Sequence, residues 1–413
     1  MNRAYYASPT GGGDGRSQSS PLRIADFWPV ADPGDTLLLL DGKYTGPESM
    51  INPPEGLKGR PDTPITVKAL NDGKVEIDGE SQRTSVRLRH NDYFVLEGFN
   101  AHHGSGSVVD FSHSSHCAVR RVCGSDAADD NTNIFGVHHG EHNLVEDCAG
   151  WGVARKTFSC SQNGNYTTFR RCWGRWEGCT NVGPKMVMTA SYNSHHALVE
   201  NCIGTWDGRK MPVSYTVHDH GEPFTDWKSS PKVAHHLTDY AVDQPCGIFG
   251  IDTVEGPGIR LLGCIAYRTA DQRAVDYIAH FFIRRSEGSQ AYMEHCVAFV
   301  EAGAPPVRPF ALTHVRGADL TAIGGKENRL EACTVENLVH LERSDSLVEG
   351  SGHILRTDLG ATVVYRYLNG QLTDEPLWPW PMNDRIKALI GVDVTRTVFE
   401  LGGGTLPEEL LKR

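Results

Sequence analysis

The stretch FRRCWGRW, at residues 169–176, has two close copies in the sequence. VEDCAGW at 145–151 and VENCIGTW at 199–206 align with it on a cysteine. Looser copies end in Cys123, Cys264, Cys296 and Cys333, so seven of the eleven cysteines are predicted to share one register. Cys123, Cys148 and Cys172 follow one another at almost equal intervals, and Cys202 follows after a slightly longer one.

This spacing is typical of a solenoid, in which each repeat packs only on its neighbours. A coil of two or three short parallel strands needs about 24 residues, and equivalent residues then stack at about 4.8 Å. Short β-rich runs, such as ITVKA from residue 65 and YFVL from residue 93, are separated by Gly, Asn and Asp. Neither leucine-rich nor helical repeats fit this pattern. The sequence therefore predicts an all-β fold, a right-handed parallel β-helix.

The ends of the chain lack the signature, as terminal caps do. Residues 1–63 are predicted to form an N-terminal cap and the first coil, and residues 64–354 the β-helix itself. The interval between Cys202 and Cys264 is longer than two coils, which predicts a long loop excursion at 208–244. Residues 355–413 are predicted to form a capping tail, with a short helix from Asn383 to Leu389.

Charge and composition exclude some classes of partner. The chain of 413 residues has a formal net charge of −11, which argues against nucleic acid. No apolar run reaches the roughly 18 residues of a membrane span. The first six residues lack the pattern of a secretion signal, which leaves a cytoplasmic location open. Eleven cysteines without a CxxC pair indicate buried thiols. No oligomeric state follows from the sequence.

A basic segment interrupts this acidic chain. Residues 151–190 carry six basic side chains and one acidic, a net +5 that would attract an anionic ligand. Lys156 and Lys185 stand at nearly the same distance before their next ladder cysteines, which predicts that they stack on adjacent coils. Repulsion between stacked ammonium groups lowers the pKa of one of them, so either lysine is a candidate base. The alternative is a solvated pair on the outer face.

The segment KTFSCSQNGNYTTFRRC, at residues 156–172, resembles a coil of the β-helical pectate lyases and, more distantly, of chondroitinase B-like and alginate lyases. This resemblance implies a polysaccharide lyase that eliminates across uronate linkages, with Lys or Arg as the base and usually Ca²⁺ on the carboxylate. It also implies a secreted or cell-surface protein of a bacterium. Where pectate lyases usually carry an acidic calcium turn, this chain has WEGCTN at 176–181. An acidic turn one coil earlier offers the oxygens of Asp126, Asp129 and Asp130 as calcium ligands, although such turns often bind nothing.

Histidines and aromatic residues supply further candidates. Histidine is paired at 102–103, 138–139, 195–196 and 235–236, and His218 and His220 alternate on one predicted strand, where they would bind a metal ion or a sugar. Trp176 and Trp206 share one offset from their cysteines, which predicts a row of rings that stacks on sugars or covers the coil edge. The predicted catalytic residues are Lys156, Lys185, His138, His139, His218 and His220. The predicted substrate-binding residues are Arg155, Arg175, Trp173, Trp176, Trp206 and Tyr215.

Three functions remain open at this stage. The first is the degradation of an acidic, uronate-containing polysaccharide by β-elimination, and a uronate epimerase would need nearly the same groups. The second is a glycoside hydrolase or transglycosidase, which needs two carboxylates flanking the bond. The available carboxylates for that reaction are Asp219, Glu222, Asp226, Asp252 and Glu255. The third is a non-catalytic glycan-binding β-helix.

Overall fold

Alternation of apolar and polar residues along short strands sets the architecture. In the strand Ile65–Ala69, for example, Ile65, Val67 and Ala69 are buried, and the residues between them are partly exposed. The computed structural model describes residues 2–223, 233–234, 246–252, 255–342, 366–373, 377–378 and 380–402. Within these residues the chain winds into a right-handed parallel β-helix with three sheets, and the apolar core fills its interior.

Between Ile65 and Thr313, each coil contributes one strand to each sheet. The first sheet contains the strands Ala4–Ala7, Thr36–Leu39, Ile65–Ala69, Phe94–Glu97, Ala118–Arg120, Leu144–Glu146, Thr168–Arg170, Leu198–Glu200, Arg260–Leu262 and Ala291–Glu294. The second contains Gly42–Tyr44, Val75–Arg83, Asn100–Gly104, Cys123–Ser125, Ala149–Val153, Trp173–Gly178, Ile203–Trp206, Ile265–Arg268 and Val297–Val300. The third contains Val86–Arg89, Val109–Ser112, Asn133–His138, Lys156–Ser161, Lys185–Ala190, Cys246–Ile251, Ala279–Arg284, Arg308–Thr313 and Arg329–Glu331. Two longer strands, Val315–Ile323 and Thr334–Leu341, extend the first and second sheets together.

The remaining elements are short. They are the α-helices Ile24–Phe27, Asn383–Ile390 and Val394–Leu401, the 3-10 helices Trp28–Val30, Pro47–Ser49 and Glu287–Ser289, and three antiparallel pairs. The pairs join Tyr215–Thr216 to Val233–Ala234, His218–Asp219 to Glu222–Pro223, and Arg366–Leu368 to Gln371–Thr373. None of the described helices has the length and apolar character needed to cross a membrane.

The predicted cysteine register is confirmed for five coils, those of Cys148, Cys172, Cys202, Cys264 and Cys296. Each of these thiols donates a hydrogen bond to a carbonyl of the preceding coil; for Cys172 the acceptor is Val145, at 3.3 Å. All eleven cysteines are free, and ten of them are buried, as predicted.

The register prediction is wrong for Cys123 and Cys333. Cys123 pairs with Ala149, so Val122 takes the place level with Cys148. Cys333 comes just before Thr334, which pairs with Arg316 at the start of the long strand Val315–Ile323. Cys296 comes just before Val297, which pairs with Thr321 near the end of that strand, so the two cysteines lie at different corners of the coil. A cysteine is small and apolar enough to occupy several kinds of buried position. These two were assigned to the register only because their spacing is close to the period, and that is not sufficient.

The N-terminal segment joins the solenoid at once, because Ala4–Ala7 is already a strand of the first sheet, paired with Thr36–Leu39. Ile24 and Phe27 of the first helix are buried in the core. The predicted C-terminal helix is confirmed as Asn383–Ile390, and Val394–Leu401 follows it unpredicted.

The described part of the tail packs along the side of the solenoid. Trp378, Trp380 and Phe399 form an apolar cluster with Trp173 and Ile203 of the second sheet. On the first sheet, the hairpin at 366–373 is tied to the buried Glu200, whose carboxylate accepts the backbone N–H groups of Asn369 and Gly370 at 3.1 and 2.8 Å.

The predicted excursion at 208–244 is described over 208–223 and 233–234. Met211, Tyr215 and Val217 in its first part are buried against the solenoid core. Asp226, His235 and His236 lie outside the described residues.

Candidate active site

A cleft of about 380 Å³ opens on the outer face of the third sheet. Its wall is made by three successive strands, in which Asp110, Gly136 and Ser159 are level with one another. A Cβ atom at Gly136 would come within 2.8 Å of His138 Nε2 and 3.4 Å of Asp110 Oδ1, so glycine keeps this part of the cleft open. The lining residues are Ser107, Asp110, Asn131, Asn133, His138, Arg155, Lys156, Ser159, Ser161, Gln162 and Tyr192.

A local break in the inward and outward alternation of side chains along the strand Lys156–Ser161 places Lys156 in the cleft. Thr157 and Phe158 are both buried and both approach Gly150 of the second sheet, so two consecutive side chains face the interior. Lys156 and Ser159, on either side of this pair, both line the cleft. Regular alternation would have placed them on opposite faces.

Lys156 is the most chemically distinctive residue of the cleft. It is 2% exposed, and its Nζ lies 3.4 Å from Ser191 Oγ and 5.5 Å from the centre of the Tyr192 ring. Burial, reinforced by the neighbouring Arg155 charge, lowers the pKa of Lys156 to about 8. An amine of this pKa is partly neutral near neutral pH and can accept a proton.

Lys185 is placed elsewhere. Its ammonium donates to the carbonyl oxygens of Asn181 and of Gly183, the latter at 2.9 Å, and Lys185 is not among the residues that line the cleft. Lys156 pairs with Met186, so the predicted stacking of the two lysines is wrong. The spacings of the two lysines from their cysteines are unequal by a single position, and a shift of one position along a strand turns the side chain to the other face.

Arg155 adds a positive charge with unused hydrogen-bonding capacity. Its Nε is buried and has no hydrogen-bond partner among the described residues. Burial lowers the pKa of Arg155, although a guanidinium stays charged at any physiological pH. Because Arg155 lines the cleft, its charged guanidinium is placed to bind a carboxylate there.

His138 and Asp110 form a second polar group in the cleft. His138 Nδ1 lies 2.8 Å from Ser161 Oγ, and its Nε2 lies 3.7 Å from Asp110 Oδ1. Burial is the main cause that lowers the pKa of His138 to about 4, so its imidazole is neutral near pH 7. Burial also raises the pKa of Asp110 to about 6, against the opposing effect of Arg87 and Arg89.

Sequence reasoning did not select Asp110, Asn133 or Ser159. All three are polar residues on strands of the third sheet, beside Gly136, and each lines the cleft. Once the register of that sheet is known, the outward polar positions identify them. The sequence signature marked the register of a different sheet, so this information was missing.

Besides Lys185, eight predicted catalytic or substrate-binding residues lie outside the cleft lining, and four of them are His139, His218, His220 and Tyr215. His139 stacks on His113 at 4.6 Å on an exposed turn. His218 lies 2.9 Å from Thr180 Oγ1 and 2.8 Å from the Asp129 carbonyl oxygen, so both its ring nitrogens have partners. His220 is exposed, and Tyr215 is buried.

The predicted tryptophan row is confirmed as a structure but is wrong as a sugar platform. Trp176 and Trp206 pair in register, and their rings stack with centroids 4.1 Å apart. Both are almost completely buried, and so is Trp173, which packs against the tail. Arg175 is buried too, in an ion pair with Glu177, to which its Nε donates at 2.6 Å. None of these side chains is accessible to a polymer.

Each carboxylate of the acidic turn is bound by a donor group of the protein. Asp126 pairs with Lys210 at 2.6 Å, Asp129 accepts the Thr180 backbone N–H at 2.7 Å, and Asp130 accepts the amide of Asn181 at 2.8 Å. In the described part of the chain these three carboxylates do not converge on one position. The arrangement does not fit a calcium ion, and calcium binding at this turn stays a prediction for metal analysis.

Comparison of the sequence with family models and with curated proteins gives no match. Solved structures do share the fold. Pectate lyase Pel9A matches with a TM-score of 0.56 at 15% identity, over 92% of this chain and 89% of that one. A rhamnogalacturonan lyase matches with a TM-score of 0.54 at 13% identity, over 95% and 99%. An alginate lyase from Paenibacillus sp. str. FPU-7 matches with a TM-score of 0.50 at 13% identity, over 81% and 99%. The predicted resemblance to β-helical lyases is thus confirmed at the level of the fold.

Proposed function

We propose that this protein degrades an acidic, uronate-containing polysaccharide by β-elimination, with Lys156 as the base. The observation that carries the proposal is the pair formed by Lys156 and Arg155 in one open cleft. Lys156 is buried with a pKa lowered to about 8, and the charged guanidinium of Arg155 lines the same cleft. A β-elimination needs these two groups, a base for the C5 proton and a cation for the adjacent carboxylate.

The reaction proceeds from these residues as follows. Arg155 binds the uronate carboxylate and stabilises the negative charge that develops on it when the C5–H bond breaks. Neutral Lys156 accepts that proton, a C4–C5 double bond forms, and the C4–O bond breaks. The ammonium of Lys156 then returns its proton to the leaving oxygen, so that protons and electrons balance.

The rest of the cleft suits the neutral parts of a sugar. His138 is uncharged near pH 7, and Asn133, Ser159 and Ser161 provide hydrogen-bond donors and acceptors for hydroxyl groups. The structural neighbours named as lyases of pectate, rhamnogalacturonan and alginate are in line with this substrate class. Polysaccharides do not cross membranes unaided, so the proposal places the protein outside the cell or on its surface.

The test is incubation of the protein with pectate, alginate, rhamnogalacturonan and chondroitin. Ultraviolet absorbance from unsaturated ends is expected with one of them, and it should disappear in Lys156→Ala. Lys185→Met is the matched control, because Lys185 is equally buried but lies outside the cleft lining. Full lyase activity in Lys156→Ala would overturn the assignment of the base.

A glycoside hydrolase is the second candidate, favoured by Asp110. A carboxyl group with a pKa raised to about 6 in a cleft suits a general acid. Two carboxylates are required, however, and Asp110 is the only one among the described residues that line the cleft. New reducing ends without ultraviolet absorbance, abolished by Asp110→Asn, would favour this reaction over elimination.

A further inference from the structure

A second group of reactive side chains lies on the second sheet, on different strands from those that form the cleft. Asp78, on the strand Val75–Arg83, pairs in register with His102 of the next coil. His103 follows with a φ of 51°, in the left-handed region. Neighbouring residues of a regular strand point to opposite faces, but this backbone turn brings the two imidazoles together.

Three potential ligand atoms meet at this point. His102 Nδ1 and His103 Nδ1 are 3.0 Å apart, and Asp78 Oδ1 lies 3.1 Å from His103 Nδ1 and 3.5 Å from His102 Nδ1. A metal site needs at least three His, Cys, Asp or Glu side chains whose ligand atoms lie close together. Among the described residues, Asp78, His102 and His103 are the one set that meets this condition. The three edges, of 3.0 to 3.5 Å, are those expected between ligands that each lie about 2.0–2.2 Å from a common ion.

Hydrogen bonding alone satisfies this group poorly. A neutral imidazole has one N–H and one lone pair, and Asp78 Oδ1 already accepts the backbone N–H of Glu80 at 2.8 Å. If the Nδ1 of one histidine carries a hydrogen and donates it to Asp78 Oδ1, the Nδ1 of the other histidine can be left with a lone pair that faces the same carboxylate oxygen. Two lone pairs that face each other repel. A cation satisfies both nitrogens and the oxygen at once.

We propose that Asp78, His102 and His103 form a binding site for a divalent first-row transition metal ion, such as Zn²⁺. Two imidazoles and one carboxylate are a donor set for such metals, whereas Ca²⁺ takes oxygen ligands. Three protein ligands leave further coordination positions for water. His103 is half exposed, so an ion can reach the site from solvent.

The surrounding groups hold the ligands in place. Lys43 Nζ binds the other oxygen of Asp78 at 2.8 Å, and Glu76 Oε2 lies 3.9 Å from Nε2 of His102, on the side of the ring away from the site. Metal-binding histidines commonly face a carboxylate through their second nitrogen in this way.

The ion would connect two successive coils, because Asp78 belongs to one and the histidines belong to the next. An internal comparison is available in His195 and His196. Their Nδ1 atoms are 2.9 Å apart, and His196 has a φ of 54°, so the two rings approach each other as in the first pair. No described carboxylate completes that pair into a group of three.

The experiment is a Zn²⁺ titration of the full-length, metal-stripped protein by calorimetry, with Co²⁺ as a spectroscopic probe in the visible range. His103→Asn is compared with His196→Asn, since asparagine tolerates the left-handed backbone at both positions. We expect one tightly bound ion in the wild type and in His196→Asn, and loss of that ion in His103→Asn. Glu76→Gln, which removes the carboxylate charge 3.9 Å from His102 Nε2, should weaken binding by less than loss of a ligand does, without loss of the fold.

Two results would overturn the site. One is the absence of Zn²⁺ binding by the wild type. The other is an equal stoichiometry and affinity in His103→Asn and the wild type, with both folded by circular dichroism. Zn²⁺ should also raise the melting temperature of the wild type and of His196→Asn, but not that of His103→Asn, because an ion that binds only the folded state stabilises it.

Discussion

The pH profile of the proposed elimination depends on one amine. Because Lys156 acts in its neutral form, the rate should rise as pH increases through its pKa of about 8 and then level off. Lys156→Ala should lose about 10²–10⁴-fold in turnover, the usual contribution of a general base. Initial rates between pH 6 and 10 on the best polymer of the panel measure both effects. A rate that falls across this range would exclude a neutral lysine as the base.

Another buried residue should control stability toward acid. His280 is fully buried between the Tyr277 hydroxyl, 2.9 Å from its Nδ1, and the Phe299 carbonyl oxygen, 2.7 Å from its Nε2. A carbonyl only accepts hydrogen bonds, so Nε2 carries the hydrogen and the ring is neutral. Burial lowers the pKa of His280 from 6.5 to about 3.

The consequence for folding follows from this depressed pKa. Between pH 6.5 and 3 the unfolded chain binds a proton that the folded chain does not, so the free energy of unfolding decreases as pH falls through this window. His280→Gln should be less stable than the wild type at pH 7 but should lose less stability on acidification. Urea unfolding at several pH values tests this expectation, with the exposed His340→Gln as a control that keeps the wild-type slope.

Individual residues of the cleft show how much of the site the sequence alone predicts. Lys156 and Arg155 were selected because the basic segment stood out in an acidic chain, and both line the cleft. Lys185 was misplaced because its spacing from the next cysteine differs by one position from that of Lys156, and Met186 takes the level of Lys156 instead. Asp110 was missed because the register of the third sheet, which places it level with Gly136, has no local signature in the sequence.

The strands of the second sheet are stabilised in the core by the row formed by Trp176 and Trp206. Trp206 stacks on Trp176 at 4.1 Å and lies 4.9 Å from the ring of Tyr277. Trp206→Ala should therefore lower the free energy of unfolding by about 3–5 kcal/mol, as large-to-small core changes do. Val213→Ala, at a residue that is 75% exposed, should change it by less than about 0.5 kcal/mol. Equal denaturation midpoints for the two variants would show that the row contributes nothing.

The strands themselves were predictable because their determinants are local. Inward apolar residues, the cysteine register and the Gly, Asn and Asp turns all repeat once per coil. The helix Val394–Leu401 was not predicted, although its buried Val394, Val398 and Phe399 follow helical spacing. Its partners on the second sheet are far away in the chain, and a single sequence does not show such distant contacts.

At the scale of the whole molecule, the tail covers one apolar side of the solenoid. Trp378, Trp380 and Val398 pack on Trp173 and Ile203, all of them buried. A chain that ends at residue 376 should expose this apolar surface and associate, because large exposed apolar patches promote association. Binding of a hydrophobic dye and analytical ultracentrifugation measure the two effects. A monomer that binds no more dye than the full chain would contradict the proposed cover.

The ladder of buried thiols has a consequence for how such a protein can change over generations. Each of its five cysteines donates to the coil before it, and the same contact is repeated at the next coil. Because a solenoid repeat contacts only its neighbours, duplication of one complete coil preserves every interface on either side of the insertion. The face of the third sheet that carries the cleft could thereby lengthen or shorten by one strand at a time. Under the proposed function, a change in the number of sugar units bound would require no new core, only another copy of an existing coil.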